Sequence, residues 1–330
     1  MRKVNAILSI RGRRDLQTRS WDIVFEWEDI IAERLGIVIK DKGNYFASSV
    51  LQKLHFYKFL APLFKTNNLY LEFVTDVALT PGRYASPNMI PIIIDFWYEK
   101  EDIDKFIEHF KFVPLLFVTN KEVQSLLNAY DCPFKVAHFP LSLPDQYKLT
   151  NECLANKEYE FGFVGRIDKF FMSLVEEYAA KHDDFEYVYS KGISVDREFW
   201  TNKGKFLGKD TGRESYIQFL KKTKITSYST PGMDTTKKAN FNQVTPRLLE
   251  MLANGCQVIG HYPNSEDVIW YNLSSIVPNV CDYRTFEKVL DDMREKVFDY
   301  NKISEFLSKH YTSNSAQLLF EALEKNSLLK

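Results

Sequence analysis

Residues 90–144, "IPIIIDFWYEKEDIDKFIEHFKFVPLLFVTNKEVQSLLNAYDCPFKVAHFPLSLP", decide the fold, because two kinds of patterning alternate along them. "IPIIIDFW" (90–97) carries a nearly unbroken isoleucine run, as a strand covered on both faces of a sheet does. "EDIDKFIEHFKF" (101–112) then sets Ile103, Phe106, Ile107 and Phe110 at helical spacing. "VPLLFVT" (113–119) is strand-like again, and "NKEVQSLLNAY" (120–130) is a helix with Asn120 placed to cap it. "FKVAHFPLSLP" (134–144) is a short strand that leaves into proline. Repeated strand–helix units imply right-handed crossovers and a parallel sheet.

Working outward, "KVNAILSI" (3–10) reads as a first strand, 24–36 as a helix and "LYLEFV" (69–74) as a strand. On the other side, residues 143–160 are polar, lack an apolar period and read as a connector. The alternation then restarts with strands at 159–165 and 185–192 around a helix at 169–182. A basic loop (196–213), a helix (214–224), a strand (225–230) and a polar loop (231–243) follow. A helix at about 246–254, a strand at 256–262, a last strand at 274–280 and helices at 283–298 and 301–326 complete the pattern. The expectation is α/β, two Rossmann-like open parallel-sheet domains facing a cleft, with C-terminal helices. Residues 1–147 form the first domain, 148–158 the linker and 159–310 the second; 311–330 are a helix packing back on the first.

Bulk properties limit the function classes. The 330 residues suit about two domains, and 45% hydrophobic with 26% charged residues describes an ordinary globular chain. A net charge of -1 gives no global case for nucleic acid, although residues 1–19 hold six Lys/Arg against one Asp. Such an arm is a solvated end or meets phosphate or an anionic membrane. Cys132, Cys153, Cys256 and Cys281 show no metal spacing and read as buried free thiols in a reducing cytoplasm. No signal peptide or membrane span is visible, so a cytoplasmic protein is expected, peripheral at the membrane if the basic arm docks there.

Open parallel sheets bind ligands beyond the carboxyl ends of their strands. In "FVGRIDK", Gly165 permits a tight turn past a strand, while Arg166 and Lys169 are either phosphate ligands or surface charges. In "TPRLLEMLANGCQVIGHY" (245–262), Thr245 caps a helix that Pro246 opens and Asn-Gly closes. Leu248, Leu249, Met251, Leu252 and Ala253 cover most of that helix, so Glu250 either is exposed or needs donors: Arg247, as a structural pair, or a ligand hydroxyl. Asp95 ends the strand 90–97 as an acceptor-side carboxylate or a turn cap. Arg11, Arg13 and Arg14 follow the first strand. Asp102-x-Asp104 mimics a metal motif but falls in a helix, and His138 reads as a core or turn histidine.

Together "FVGRIDK" and "TPRLLEMLANGCQVIGHY" resemble GT-B glycosyltransferases, in particular the family-4-like group. The segment 113–143 resembles the end of that group's first domain. The resemblance covers roughly residues 90–300. It implies transfer of a sugar from a nucleotide-diphosphate donor, UDP- or GDP-linked, to a glycan or lipid-linked acceptor hydroxyl in surface polysaccharide or glycan synthesis. It implies retention of configuration and neither metal nor cofactor. The donor site would comprise Gly165, Arg166, Lys169, Ser229, Thr230, Asn242, Thr245, Arg247 and Glu250, with Arg166 and Lys169 on the pyrophosphate and Glu250 on the ribose. Lys205 and Lys209 are further cation candidates. Arg166, Lys169 and Asp95 are the catalytic candidates, and Arg11, Arg13 and Arg14 face the acceptor. Three departures stand out: Asn242 occupies a position where the group has an acid, Lys169 follows Arg166 by only three residues, and "SIRGRRD", with Gly12 alone, replaces the group's glycine-rich first loop. The alternatives are a sugar-nucleotide epimerase of this fold and a non-catalytic nucleotide-sugar-binding scaffold.

Overall fold

The computed structural model describes residues 2–12, 21–42, 57–75, 77, 79–163, 165, 167–192, 197–233 and 241–329. Arg13, Arg14 and Arg166 lie outside the described residues. The chain divides into two compact units, 1–144 with 312–330, and 145–311.

The first unit is built on β1 (Lys3–Ser9), α1 (Trp21–Leu35), β2 (Val38–Asp41), α2 (Tyr57–Leu60), β3 (Asn68–Val74) and β4 (Met89–Ile93). It continues with α3 (Ile103–Phe110), β5 (Leu115–Val118), α4 (Lys121–Ala129) and β6 (Lys135–His138). All six strands are parallel in the order β2-β1-β3-β4-β5-β6, so the sheet changes winding direction between β1 and β3. Ile90, Ile92 and Ile93 are buried, as an isoleucine run covered on both faces must be. Asn120 caps α4 by accepting from Val123 N at 3.1 Å.

In the second unit, α5 (Glu152–Ala155) precedes β7 (Tyr159–Gly162), α6 (Lys169–Lys181) and β8 (Tyr187–Lys191). Next come β9 (Arg197–Thr201), β10 (Phe206–Asp210), α7 (Arg213–Lys222), β11 (Thr223–Ser229), α8 (Pro246–Ala253) and β12 (Gln257–His261). Then follow α9 (Glu266–Trp270), α10 (Tyr283–Glu295) and α11 (Tyr300–Ser308), and α12 (Thr312–Lys325) returns the chain to the first unit. There Ala316, Leu319 and Leu323 join the core that holds Trp27, Ile31, Phe73 and Phe139. The order β10-β9-β8-β7-β11-β12 puts the change of direction between β7 and β11.

Three sequence expectations are corrected. The basic loop 196–213 contains a hairpin: β9 pairs antiparallel with β8 and β10 with β9. The expected strand 274–280 is one parallel bridge, Gly260 to Asn279. Pro278 has no N–H to give a ladder, so Gly260 N donates to Pro278 O and Val280 N to Gly260 O, and the pairing ends. The expected helix 301–326 is two, α11 and α12. Thr312 is fully buried, gives its N–H to Leu143 O at 2.9 Å and shares a hydroxyl hydrogen bond with Ser142 at 3.0 Å, which fixes a new helix start.

Candidate functional site

The switch point of the second sheet gathers the carboxyl ends of β7, β11 and β12 and the first turns of α6 and α8. Gly165 turns the chain after β7 with φ +72°, a left-handed conformation that L side chains resist. A side chain there would begin 3.1 Å from Arg247 Cζ, so the guanidinium of α8 lies directly on this turn.

Arg247 and Glu250, three residues apart, share one face of α8. Pro246 opens the helix, and Thr245 sits at its N-cap without a side-chain cap bond, contrary to expectation. Thr245 N instead donates to Tyr228 OH at 2.9 Å. Burial pushes the Tyr228 phenol up to about 12, so it stays a neutral donor and acceptor. Gly255, at φ +74°, ends the helix beyond Asn254.

Glu250 is 5% exposed, and its donors are not Arg247 but Arg213 and Tyr216. Arg213 Nη1 donates to Oε1 at 2.7 Å and Tyr216 OH to Oε2 at 2.9 Å. Arg213 Nε also donates to Tyr147 OH at 3.2 Å, with the guanidinium carbon 4.9 Å from that ring's centroid. Burial, reinforced by the Glu250 carboxylate, pushes the Tyr216 phenol well above its ordinary value. Arg213 and Tyr216 both belong to α7. Only the position of Arg213, where the basic loop meets a helix, hinted at it in the sequence.

At the same switch point lies a second cluster, of which sequence reading named only Ser229. Asp168 caps α6 by accepting from Phe170 N at 3.0 Å. Ser229 Oγ at the end of β11 donates to the other carboxylate oxygen, and His261 Nδ1 stands 3.7 Å from it. Burial pushes the Asp168 carboxyl up, but the His261 ring, the Ser229 hydroxyl and the Phe170 N–H outweigh it and hold it below its ordinary value. Phe170 stacks on the His261 ring at 3.9 Å. The signal for Asp168 was an N-cap residue directly before an apolar helical run.

Thr230 is fully buried, and its hydroxyl donates to Asn242 Oδ1 at 2.8 Å. Lys169 opens α6 and is exposed. Lys205 and Lys209 sit on the hairpin, and β10 lies three strands from β7, roughly 14 Å across the sheet.

In the first unit, Asp95 stands two residues past β4 with φ 55°, left-handed for a non-glycine residue. Arg11 is engaged by the fold: Nε donates to Glu28 at 3.0 Å, Nη1 pairs with Asp29 at 2.8 Å, and Nη2 reaches Phe25 O. Ser9 Oγ also donates to Glu28, at 2.7 Å, and burial pushes that carboxyl up to about 7 against the pull of Ser9 and Arg11. Asp102 stands at the start of α3 and bonds Lys105 at 2.7 Å. Among the described residues no group of three or more His, Cys, Asp or Glu is arranged to hold a metal ion. The four cysteines are free; Cys153 and Cys256 are buried as expected, but Cys132 is half-buried and Cys281 exposed. Among the described residues no helix is long and apolar enough to cross a membrane.

Two open, mostly parallel α/β sheets in one chain, each with a switch point, give the chain a GT-B-type fold. No family model matches the sequence, and neither does any curated protein. Among solved structures the chain is similar to a sucrose-phosphate synthase from Thermosynechococcus elongatus, with TM-score 0.58 and 11% identity over 99% of each chain. It is similar to AviGT4, a glycosyltransferase involved in avilamycin A biosynthesis, with TM-score 0.54 and 10% identity over 98% of each chain. For a chain of the GtfA/B complex the TM-score is 0.51 at 9% identity, covering 84% of this chain. The chain spans 60% of the length of that larger protein. At 9–11% identity the similarity is one of fold.

Proposed function

We propose that the chain is a glycosyltransferase that moves a sugar from a nucleotide-diphosphate sugar to a hydroxyl of a glycan or lipid-linked acceptor. The observation that carries the reading is the meeting of Gly165, Arg247 and the Arg213–Glu250–Tyr216 group at the switch point of the second sheet. Two structures that match end to end are described as a sucrose-phosphate synthase and a glycosyltransferase, which supports it.

In this reading the diphosphate lies on the Gly165 turn, where the missing side chain lets backbone and phosphate approach. Two helices begin at the crevice. The start of α6 already holds the Asp168 carboxylate, whereas α8 has no side-chain cap, so α8 is the end that favours an anion. Arg247 adds a planar fork of donors. Glu250 faces the ribose: each carboxylate oxygen is held by one protein donor and keeps a lone pair for a sugar hydroxyl. As the glycosidic bond to the donor breaks, negative charge grows on the leaving diphosphate. Arg247, Lys169 and, by the resemblance, Arg166 offset it without a divalent ion or cofactor. Retention of configuration also rests on the resemblance. The acceptor belongs to the first unit, near Asp95.

A thermal-shift panel of UDP, GDP, ADP and CMP tests the donor site. One nucleoside diphosphate raises the melting temperature, and Glu250→Ala weakens its affinity by about tenfold, the size of one lost hydrogen-bonded group. If no ligand at millimolar concentration moves the transition, the reading fails. Asn242 favours a second reading, a nucleotide-sugar-binding scaffold, because an amide bound to Thr230 stands where the family has an acid. Tight nucleotide binding with no hydrolysis or transfer of any donor would select it.

A further inference from the structure

We propose that residues 57–65 form a docking surface for an anionic lipid bilayer. Phe59 is 74% exposed, Leu63 77% and Phe64 41%. Single exposed apolar side chains are ordinary, but three large ones within six residues make a patch. This patch is held firmly. Tyr57 and Ala61, four residues apart on the opposite face, are buried in a small cluster with Tyr84 and Phe112. Tyr57 stacks on Phe64 at 6.1 Å. Asn88 Nδ2 donates to Phe64 O at 2.8 Å and Asn88 Oδ1 accepts from Thr66 N at 2.8 Å. The fold therefore fixes a short helical turn with one apolar face inward and another outward.

Charge identifies the occupant. From residue 43 to 71 the sequence carries Lys53, Lys58 and Lys65 and no Asp or Glu, while Lys42 pairs with Glu72 at the opposite edge of the sheet. Lys58 and Lys65 flank the exposed side chains directly, and Lys58 is itself 51% exposed, 3.6 Å from Glu108. The segment lies at the amino-terminal edge of the first sheet, where Lys3 opens the neighbouring β1 and Lys111, paired with Glu108 at 2.6 Å, follows α3; Glu108 and, farther along, Asp131 are acids of the same edge. Aromatic and leucine side chains flanked by lysines suit the boundary between acyl chains and anionic headgroups. Ser9 and Asp95 lie at the opposite edge, so a docked bilayer leaves the crevice of this unit uncovered. The inference does not depend on the transfer reaction.

The test is cosedimentation of the full chain with vesicles of phosphatidylcholine, alone or mixed with phosphatidylglycerol. Binding to the mixed vesicles is expected to exceed binding to phosphatidylcholine by about tenfold or more and to weaken with salt. Phe59→Ser with Leu63→Ser lowers it by about tenfold or more while the melting temperature holds, since both side chains are mostly in water. Lys58→Glu with Lys65→Glu removes the preference for phosphatidylglycerol and leaves the apolar patch intact. The proposal is overturned if wild type sediments with neither vesicle, or if both double variants sediment as wild type does. It is equally overturned if wild type binds no vesicle and self-associates through these residues, as loss of a dimer in the Phe59/Leu63 variant would reveal.

Discussion

The Arg213–Glu250 pair supports a quantitative prediction. Its Nη1–Oε1 distance is 2.7 Å, with side-chain exposures of 19% for Arg213 and 7% for Glu250. Arg213→Met keeps the apolar stem but leaves a buried carboxylate with the Tyr216 hydroxyl alone. Breaking a buried pair from one side costs roughly 3–5 kcal/mol, and the exposed part of Arg213 lets water recover some of it, so about 3 kcal/mol is expected. Glu250→Gln retains an acceptor for Tyr216, and Arg213 still has Tyr147, so about 2 kcal/mol is lost. The double variant has no stranded charge and should lose about 3 kcal/mol rather than the sum, a coupling of roughly 2 kcal/mol. For a unit of this size 1 kcal/mol shifts Tm by roughly 2–4 °C, so Arg213→Met should melt roughly 6–12 °C below wild type in calorimetry of the full chain. Single effects that add to within about 0.5 kcal/mol would refute the pair as a coupled element.

Gly165→Ala places a methyl group against Arg247 at a left-handed φ; a loss of about 1–2 kcal/mol is expected, with about tenfold weaker nucleoside diphosphate binding by titration calorimetry. Unchanged affinity in a destabilised Gly165→Ala protein would separate the turn from the donor. Tyr216→Phe deletes the hydroxyl that holds Glu250 Oε2 and should cost about 1 kcal/mol in denaturant unfolding; no change would mean the hydroxyl is satisfied elsewhere. Glu28 makes a pH prediction. Its folded pKa of about 7 lies above its ordinary value of 4.5, so the folded state holds a proton that the unfolded state has lost between these values. Stability from this group therefore falls as pH rises through that window, by roughly 3 kcal/mol in all. Glu28→Gln should flatten Tm against pH from about 5 to 7, and parallel profiles for the two proteins would contradict the assignment.

The fold is legible where burial is two-sided and periodic. The isoleucines from Ile90 to Ile94 can belong only to a covered strand or a buried helix, and the flanking proline-rich and polar segments leave room for a strand. Legibility fails where a local pattern serves two structures. Residues 197–210 look like a basic loop because β10 is an edge strand, where charge discourages further pairing, and charge hides the alternation within the hairpin. Helical spacing continues from Ile303 to Leu323 although the chain breaks at Lys309–Tyr311. The break is set by hydrogen bonds to Leu143 and Ser142, far away in sequence.

The candidate site divides along the same line. Gly165 and Pro246 state their roles locally, since a left-handed turn and a helix start are backbone demands that few residues meet. The need of Glu250 for donors also follows from the apolar residues around it. Which donors it finds does not, because that depends on how α7 lies against α8. Arg247, its near neighbour on the helix, is drawn to the Gly165 turn, and Arg213 takes its place from another element. Counting charges misleads for the same reason. Lys205 and Lys209 enrich a loop that the sheet order carries three strands away from β7, while Arg11 is held by Glu28, Asp29 and Phe25. A cation becomes a candidate ligand only once the order of strands shows which ends are neighbours, and that order is set by long-range packing that no local spacing encodes.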